Sequence, residues 1–185
     1  MPPFNLNEMR SQLQYGGARP ALFQVIMTNP INGTGDEKMT FMAKAAQLPA
    51  STVGSVNVPY FGRTIKVAGE REFADWSVTV INDEDFLVRN ALEQWVNSMN
   101  LAQQNLRQGP ATSSPASYKS QAQVIQYAKD GDVLREYTLD GIFPTEVSTI
   151  DVNWETQNTI EEFTVNFTYD WHYVSGGKTG GAGGQ

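Results

Sequence analysis

Four features in this chain carry residue types that could do chemistry. Gly177-Lys178-Thr179 looks like the end of a phosphate-binding loop, where a lysine follows a glycine turn onto phosphate oxygens. Such a loop needs a glycine five residues earlier and a helix afterwards. Here the earlier position is His172, and more glycines follow. Asp83-Glu84-Asp85 could serve as metal ligands or acid–base groups. They fall where a helix is expected to begin, and carboxylates there are explained by the positive end of the helix dipole. Asp130-Gly131-Asp132 resembles a fragment of a calcium loop without its later ligands, so it reads better as a hairpin turn. His172 is the only histidine, and no serine sits in a nucleophile-elbow pattern. A polar residue facing solvent or an interface is the simpler account of it. No catalytic, metal or cofactor site is assigned, and no enzymatic role is expected.

Composition narrows the field. The chain has 185 residues, 40% of them hydrophobic, no cysteine, and a net charge of −7. That length suits one domain with its own core. Without cysteine there are no disulfides and no thiolate metal sites. An acidic chain is poorly suited to wrapping phosphate backbones, since that affinity comes from Lys and Arg. No apolar run reaches membrane-spanning length, so no membrane partner is expected. MPPFNLNEMRSQ lacks the basic-then-apolar pattern of a secretory signal.

The elements that would position these residues are mostly strands. Residues 1–18 read as an N-terminal arm, with Leu6, Met9 and Leu13 spaced for a short helix. Ala21–Thr28 is apolar and β-branched enough for a buried strand. Asn29–Glu37 is rich in turn formers, and Lys38–Ala46 is expected to resume as a strand. Val53–Val67 is extended. Pro59 cannot donate to a central ladder, so this segment is expected to be an edge strand or a projecting hairpin. Gly69–Asp75 reads as a charged turn, and Trp76–Val80 as a half-buried strand.

One clear helix is expected from near Asp83, capped by Asn82 and stapled by Ile81 and Phe86. Its apolar stripe is Val88, Leu92, Trp95, Val96 and Met99. Ser120–Lys129 and Val133–Leu139 flank the Asp130-Gly131 turn. Phe143–Trp154 is expected as a further strand. Thr159–Tyr173 alternates throughout, with Phe163, Val165, Phe167, Tyr169, Trp171 and Tyr173 on one face. Thr164, Asn166, Thr168, Asp170 and His172 take the other. Ser175–Gln185 is too rich in glycine to pack and is expected to be mobile. The fold class is therefore mainly β: an antiparallel sandwich or barrel with one flanking α-helix.

The order of several blocks resembles the tail tube protein of contractile-tailed bacteriophages across about residues 15–173. The blocks are Arg19–Val25 (RPALFQV), Ala46–Ala50 (AQLPA), Arg63–Arg71 (RTIKVAGER), Asp75–Glu84 (DWSVTVINDE) and Gly141–Thr145 (GIFPT). The resemblance implies a tail tube domain over residues 19–173, an arm at 1–18, and a flexible tail at 174–185. It implies a structural role in the virion after assembly in the bacterial cytoplasm. Hexameric rings would close the inner sheets into a continuous β-barrel and stack into a hollow tube. The partners implied are further copies of the chain, the tail sheath, baseplate, tape-measure and tail-terminator proteins. Genomic DNA would pass through the lumen without specific binding.

Within that picture the Val53–Val67 segment reads as an arm reaching a neighbouring ring. Val56, Val58, Pro59, Tyr60, Phe61 and Arg63 are its candidate ring-stacking residues. Two alternatives share some of these features. A tube of a contractile injection system would have the same fold and a protein cargo. A lipocalin-like carrier would be a monomer around a closed apolar cavity.

Overall fold

The protein is described from a computed structural model, over residues 6–13, 17–112 and 114–182. Nine strands and three α-helices occur among these residues. Seven strands form one antiparallel sheet: β1 (Phe23–Met27), β2 (Ala43–Ala46), β5 (Trp76–Ile81), β6 (Ser120–Tyr127), β7 (Val133–Val147), β8 (Glu162–Thr168) and β9 (Trp171–Gly176). Their order is β1-β6-β7-β8-β5-β2, with β9 on the other side of β7. β3 (Ser51–Tyr60) and β4 (Arg63–Phe73) form a separate two-stranded hairpin.

β7 makes this a folded-over sheet rather than a flat one. Its first half pairs with β6 and β9, and its last residues pair with β8. Gly141 sits where one half gives way to the other, at φ +70°. A Cβ there would lie 2.2 Å from the Asp170 carboxylate, so only glycine fits the bend. The two halves enclose one core. Val25, Val124 and Leu139 come from one half, and Trp76, Val78, Val80, Phe163, Val165 and Phe167 from the other. β5 alternates buried and half-buried at every position, as its sequence pattern requires.

Two helices close the open sides. α3 (Leu87–Met99) buries Val88, Ala91, Leu92, Trp95 and Ser98, with Val96 and Met99 at the margin. Its Trp95 indole donates to the Tyr118 carbonyl at 2.8 Å. The buried Asn29 fastens the Asn29–Glu37 loop, donating to the Ala91 carbonyl at 3.0 Å. α2 (Asp36–Met42) puts Met39 into the core and packs on β1, β2 and β5. The third helix, α1 (Leu6–Gln12), buries no side chain.

Several expectations are corrected. Lys38–Met42 is helix rather than strand: Met39 is buried and Met42, three residues on, packs against the core, while Phe41 is exposed. α3 starts at Leu87, with Phe86 as its cap in the left-handed region at φ 51°. Asn82 is instead buried and donates to the Glu161 carboxylate at 2.9 Å. Asp83 and Asp85 precede the helix and grip Lys38 of α2 from both sides. That pairing holds both carboxyls below their ordinary range and raises the lysine. Gly69–Phe73 belongs to β4, not to a turn. Phe143–Val147 continues β7, and residues 149–161 form a loop.

The long final strand breaks at Tyr169-Asp170, where the Asp170 amide donates to the Asp140 carbonyl. The break reverses the facing. Phe163, Val165, Phe167 and Tyr169 are buried as expected, but Trp171 is exposed and His172 turns inward. β9 runs past residue 173 to Gly176, and the amides of Lys178 and Thr179 bond to the carbonyls of Val133 and Leu134. The expected mobile tail is therefore tied down as far as Thr179. Residues 1–5 and 14–16 of the arm and residues 183–185 of the tail lie outside the described residues.

Phe167 is fully buried and packs its ring 5.6 Å from that of Trp76. Phe167→Ala should cost about 3–5 kcal/mol, read as a lower denaturant midpoint.

Candidate assembly interface

The chemistry-bearing clusters of the sequence neutralise one another. Lys178 is ion-paired to Asp132 and, at 3.7 Å, to Asp130. The lysine of the phosphate-loop-like triplet thus closes the aspartate turn. Gly177 has its own reason: a Cβ would lie 2.3 Å from the Leu134 carbonyl oxygen. No group of three or more His, Asp or Glu able to hold a metal occurs among the described residues. The interior is packed with the fully buried side chains of Trp76, Trp95, Phe163, Phe167 and Leu92.

What remains unsatisfied is the β3–β4 hairpin. Its register pairs Val56 with Val67, Val58 with Ile65, and Tyr60 with Arg63. Directly opposed residues share a face, so these six make one apolar face with an arginine near the tip. Ser55–Ala68, Asn57–Lys66 and Pro59–Thr64 make the other, polar face. The apolar side chains are about half exposed or more, from Val58 at 44% to Tyr60 at 64%. No sheet or helix covers them among the described residues.

The tip is built for exposure. Phe61 and Gly62 both have positive φ, 42° and 74°, the signature of a tight primed turn. Asparagine would suit the first position better; a phenylalanine there, 92% exposed, carries backbone strain for no internal contact. In a two-residue hairpin Tyr60 and Arg63 exchange the closing hydrogen bonds. Pro59 then falls where its missing N–H would point away from β4, so it leaves the hairpin's own ladder intact. The sequence candidates Val56, Val58, Tyr60 and Arg63 lie together on the apolar face, Phe61 at the tip, and Pro59 on the opposite face. Ile65 and Val67 of the same face lay within the extended segment but were not among those candidates. The cross-strand register is what singles them out.

The root is clamped. The Phe73 ring lies 5.9 Å from Tyr169 and 5.2 Å from His172. The Trp76 indole donates to the Gln47 carbonyl at 2.7 Å. Further out, β3 bulges at Gly54, where Gly69 approaches so closely that a Cβ on it would sit 3.2 Å from the Gly54 backbone.

A second surface is the outer face of the β2-β5-β8-β7 half-sheet. It presents Ser77, Thr79, Thr164, Asn166 and Thr168. Ser77 donates to Asn166 at 2.7 Å, Asn166 to Glu146 at 2.9 Å, and Thr168 to Asp75 at 2.7 Å. Lys44 is paired to Glu162. The face is polar, hydrogen-bonded within itself, and slightly acidic. Its outer strands, β2 and the end of β7, each pair on one side only.

The family model for phage tail tube proteins matches residues 12–175. The chain belongs to the phage tail tube protein family. It is similar to the tail tube protein gp19 of Enterobacteria phage T4, 39% identical over 155 residues, which are 83% of this chain and 90% of that protein. The tail tube protein of Serratia phage KSP90 is 22% identical over 169 residues, 89% of this chain and 93% of the relative. Among solved structures, the tube-terminating cap of the anti-feeding prophage superposes with a TM-score of 0.64 at 16% identity, covering 88% of this chain and 92% of that one. The sheath–tube complex of an extracellular contractile injection system gives 0.59 at 12% identity, over 92% and 97%. The tail tube fold is thus common to phage tails and injection systems.

The clamp at the root has a pH signature. Burial first, and the Arg71 guanidinium second, push the His172 imidazole below its ordinary value of 6.5. Its Nδ1 is buried without a hydrogen-bond partner. The unfolded chain therefore takes up this proton at higher pH than the folded one. The stability is complete above pH 6.5 and falls as pH drops towards the folded value. Thermal melts of the wild type and His172→Gln between about pH 7 and pH 5 should diverge, with the variant losing this part of the slope. Equal slopes would place the imidazole in solvent.

Proposed function

We propose that the protein is the structural subunit of the inner tube of a contractile phage tail, a virion component with no catalytic role. Membership of the tail tube family over most of the chain carries this reading. The unpaired edges of the polar half-sheet support it physically. Open edges are liabilities unless another strand pairs with them. In a ring, β2 of one copy meets residues 143–147 of β7 in the next, and the half-sheets join into a closed barrel. Hexameric closure is part of this proposal.

The polar face of that barrel then lines the lumen. Small neutral hydroxyls and amides, several already bonded to one another or to the carboxylates beside them, offer DNA little to hold. The carboxylates of Asp75 and Glu146 repel phosphate, so DNA slides without the cationic contacts that give salt-dependent affinity. The sheath grips the outside of the tube. Baseplate, tape-measure and terminator proteins meet its ends and its interior. The curated relatives are phage proteins, which favours DNA over protein as cargo.

Negative-stain electron microscopy of the purified chain tests this. Hollow tubes or rings are expected. Deleting Pro59–Gly62 should leave a folded subunit, with unchanged far-UV circular dichroism, that makes rings but no long tubes. A protein that stays monomeric at every concentration would contradict the assignment.

A further inference from the structure

We infer that successive rings join by docking the apolar face of the β3–β4 hairpin onto the 149–161 loop of a copy in the next ring. This rests on the tube reading and adds the contact that makes rings stack.

The two elements leave the same sheet at opposite ends. In the β5–β8 register Trp76 opposes Phe167, and Ile81 opposes Glu162. The hairpin feeds directly into Trp76, whereas the loop feeds into Glu162. One therefore projects beyond one end of the strands and the other beyond the far end. Two different patches at opposite ends make a head-to-tail contact, which propagates as a filament instead of closing.

Their chemistry is complementary. The loop carries Val152, Trp154 and Ile160 at 83%, 97% and 68% exposure. Its charged residues are Asp151, Glu155 and Glu161, with no Lys or Arg between residues 149 and 161. The hairpin's outer part, from Ser55 to Ala68, has Arg63 and Lys66 and no acidic residue. This is a cationic, apolar finger on a chain of net charge −7. Hairpin against hairpin would set Arg63 near Arg63, and loop against loop would stack carboxylates. Only the mixed pair satisfies both charge and apolar surface.

The loop is shaped to present its tryptophan. The Asn153 side chain accepts from the Glu155 amide at 3.0 Å, and the Asn153 carbonyl accepts from Thr156 Oγ1 at 2.8 Å. That turn holds Trp154 outward, flanked by Asp151 and Glu155. At its base Glu161 is bound by both the Asn82 backbone and side-chain amides. An exposed aromatic beside carboxylates is a suitable seat for valines, an isoleucine and an arginine, because aromatic and arginine anchors dominate interface energy.

The test uses charge reversal and rescue. Arg63→Glu and the pair Asp151→Lys/Glu155→Lys should each leave melting temperature and far-UV circular dichroism unchanged. Each should cut the pelletable tube fraction at least tenfold, with rings or short stacks remaining by electron microscopy. Combining all three substitutions should restore long tubes. Trp154→Ala should lose tubes in either charge background. Tubes of wild-type length from both charge variants would overturn the contact, as would a combined variant that folds yet assembles no better than its parents. A wild-type chain that never forms tubes would overturn the tube reading and this contact with it.

Discussion

An apolar ribbon without a partner sets the terms for this molecule. β3 and β4 pair only with each other, and a lone hairpin is marginal in water. Val56, Val58, Tyr60, Ile65 and Val67 nevertheless line one face of it in the open. The ribbon persists because its root is held by Phe73 among Tyr169 and His172 and by the Trp76 indole on Gln47. The folded core thus stabilises an element that gives the core only Phe73 at its root. In the proposed tube that face is buried only when copies meet.

The same economy governs the sheet. Gly141 lets one long strand serve both halves, so seven strands enclose a single core with two helices over its open sides. The price is that β2 and the end of β7 remain edges. A monomeric carrier would cover such edges or curl them shut. Here they bound a face of small hydroxyls and amides, of which Ser77, Asn166 and Thr168 are bonded to one another or to the neighbouring carboxylates. In the tube proposed above, edge pairing, a non-sticking inner wall and a docking ribbon would all follow from one sheet left incomplete.

Much of this was legible in the residues. The alternation of Trp76–Val80 and of Phe163–Tyr169 is period two against a packed face, and burial follows it. Pro59 announced that Val53–Val67 could not be a central strand. The errors have physical causes. Asn82, Asp83 and Asp85 have helix-starting chemistry, but tertiary partners claimed them: Glu161 for the asparagine, Lys38 for the aspartates. Periodicity cannot see a turn that takes only two residues, so the alternation runs on through Tyr169-Asp170 and points Trp171 inward. Lys38–Met42 is too short for its helical period to outweigh its resemblance to a strand. The apolar face of the hairpin depends on cross-strand register, which no single segment encodes. The turn at Phe61-Gly62 is what sets Ile65 opposite Val58 and Val67 opposite Val56.

A cryo-microscopy map of tubes assembled from the purified chain tests the central claim most directly. Ser77, Thr79, Thr164, Asn166 and Thr168 should face the axis, with β2 hydrogen-bonded to residues 143–147 of the neighbouring copy. A map in which Trp171 and Tyr173 face the axis, or in which β2 has no strand beside it across the subunit boundary, would contradict it.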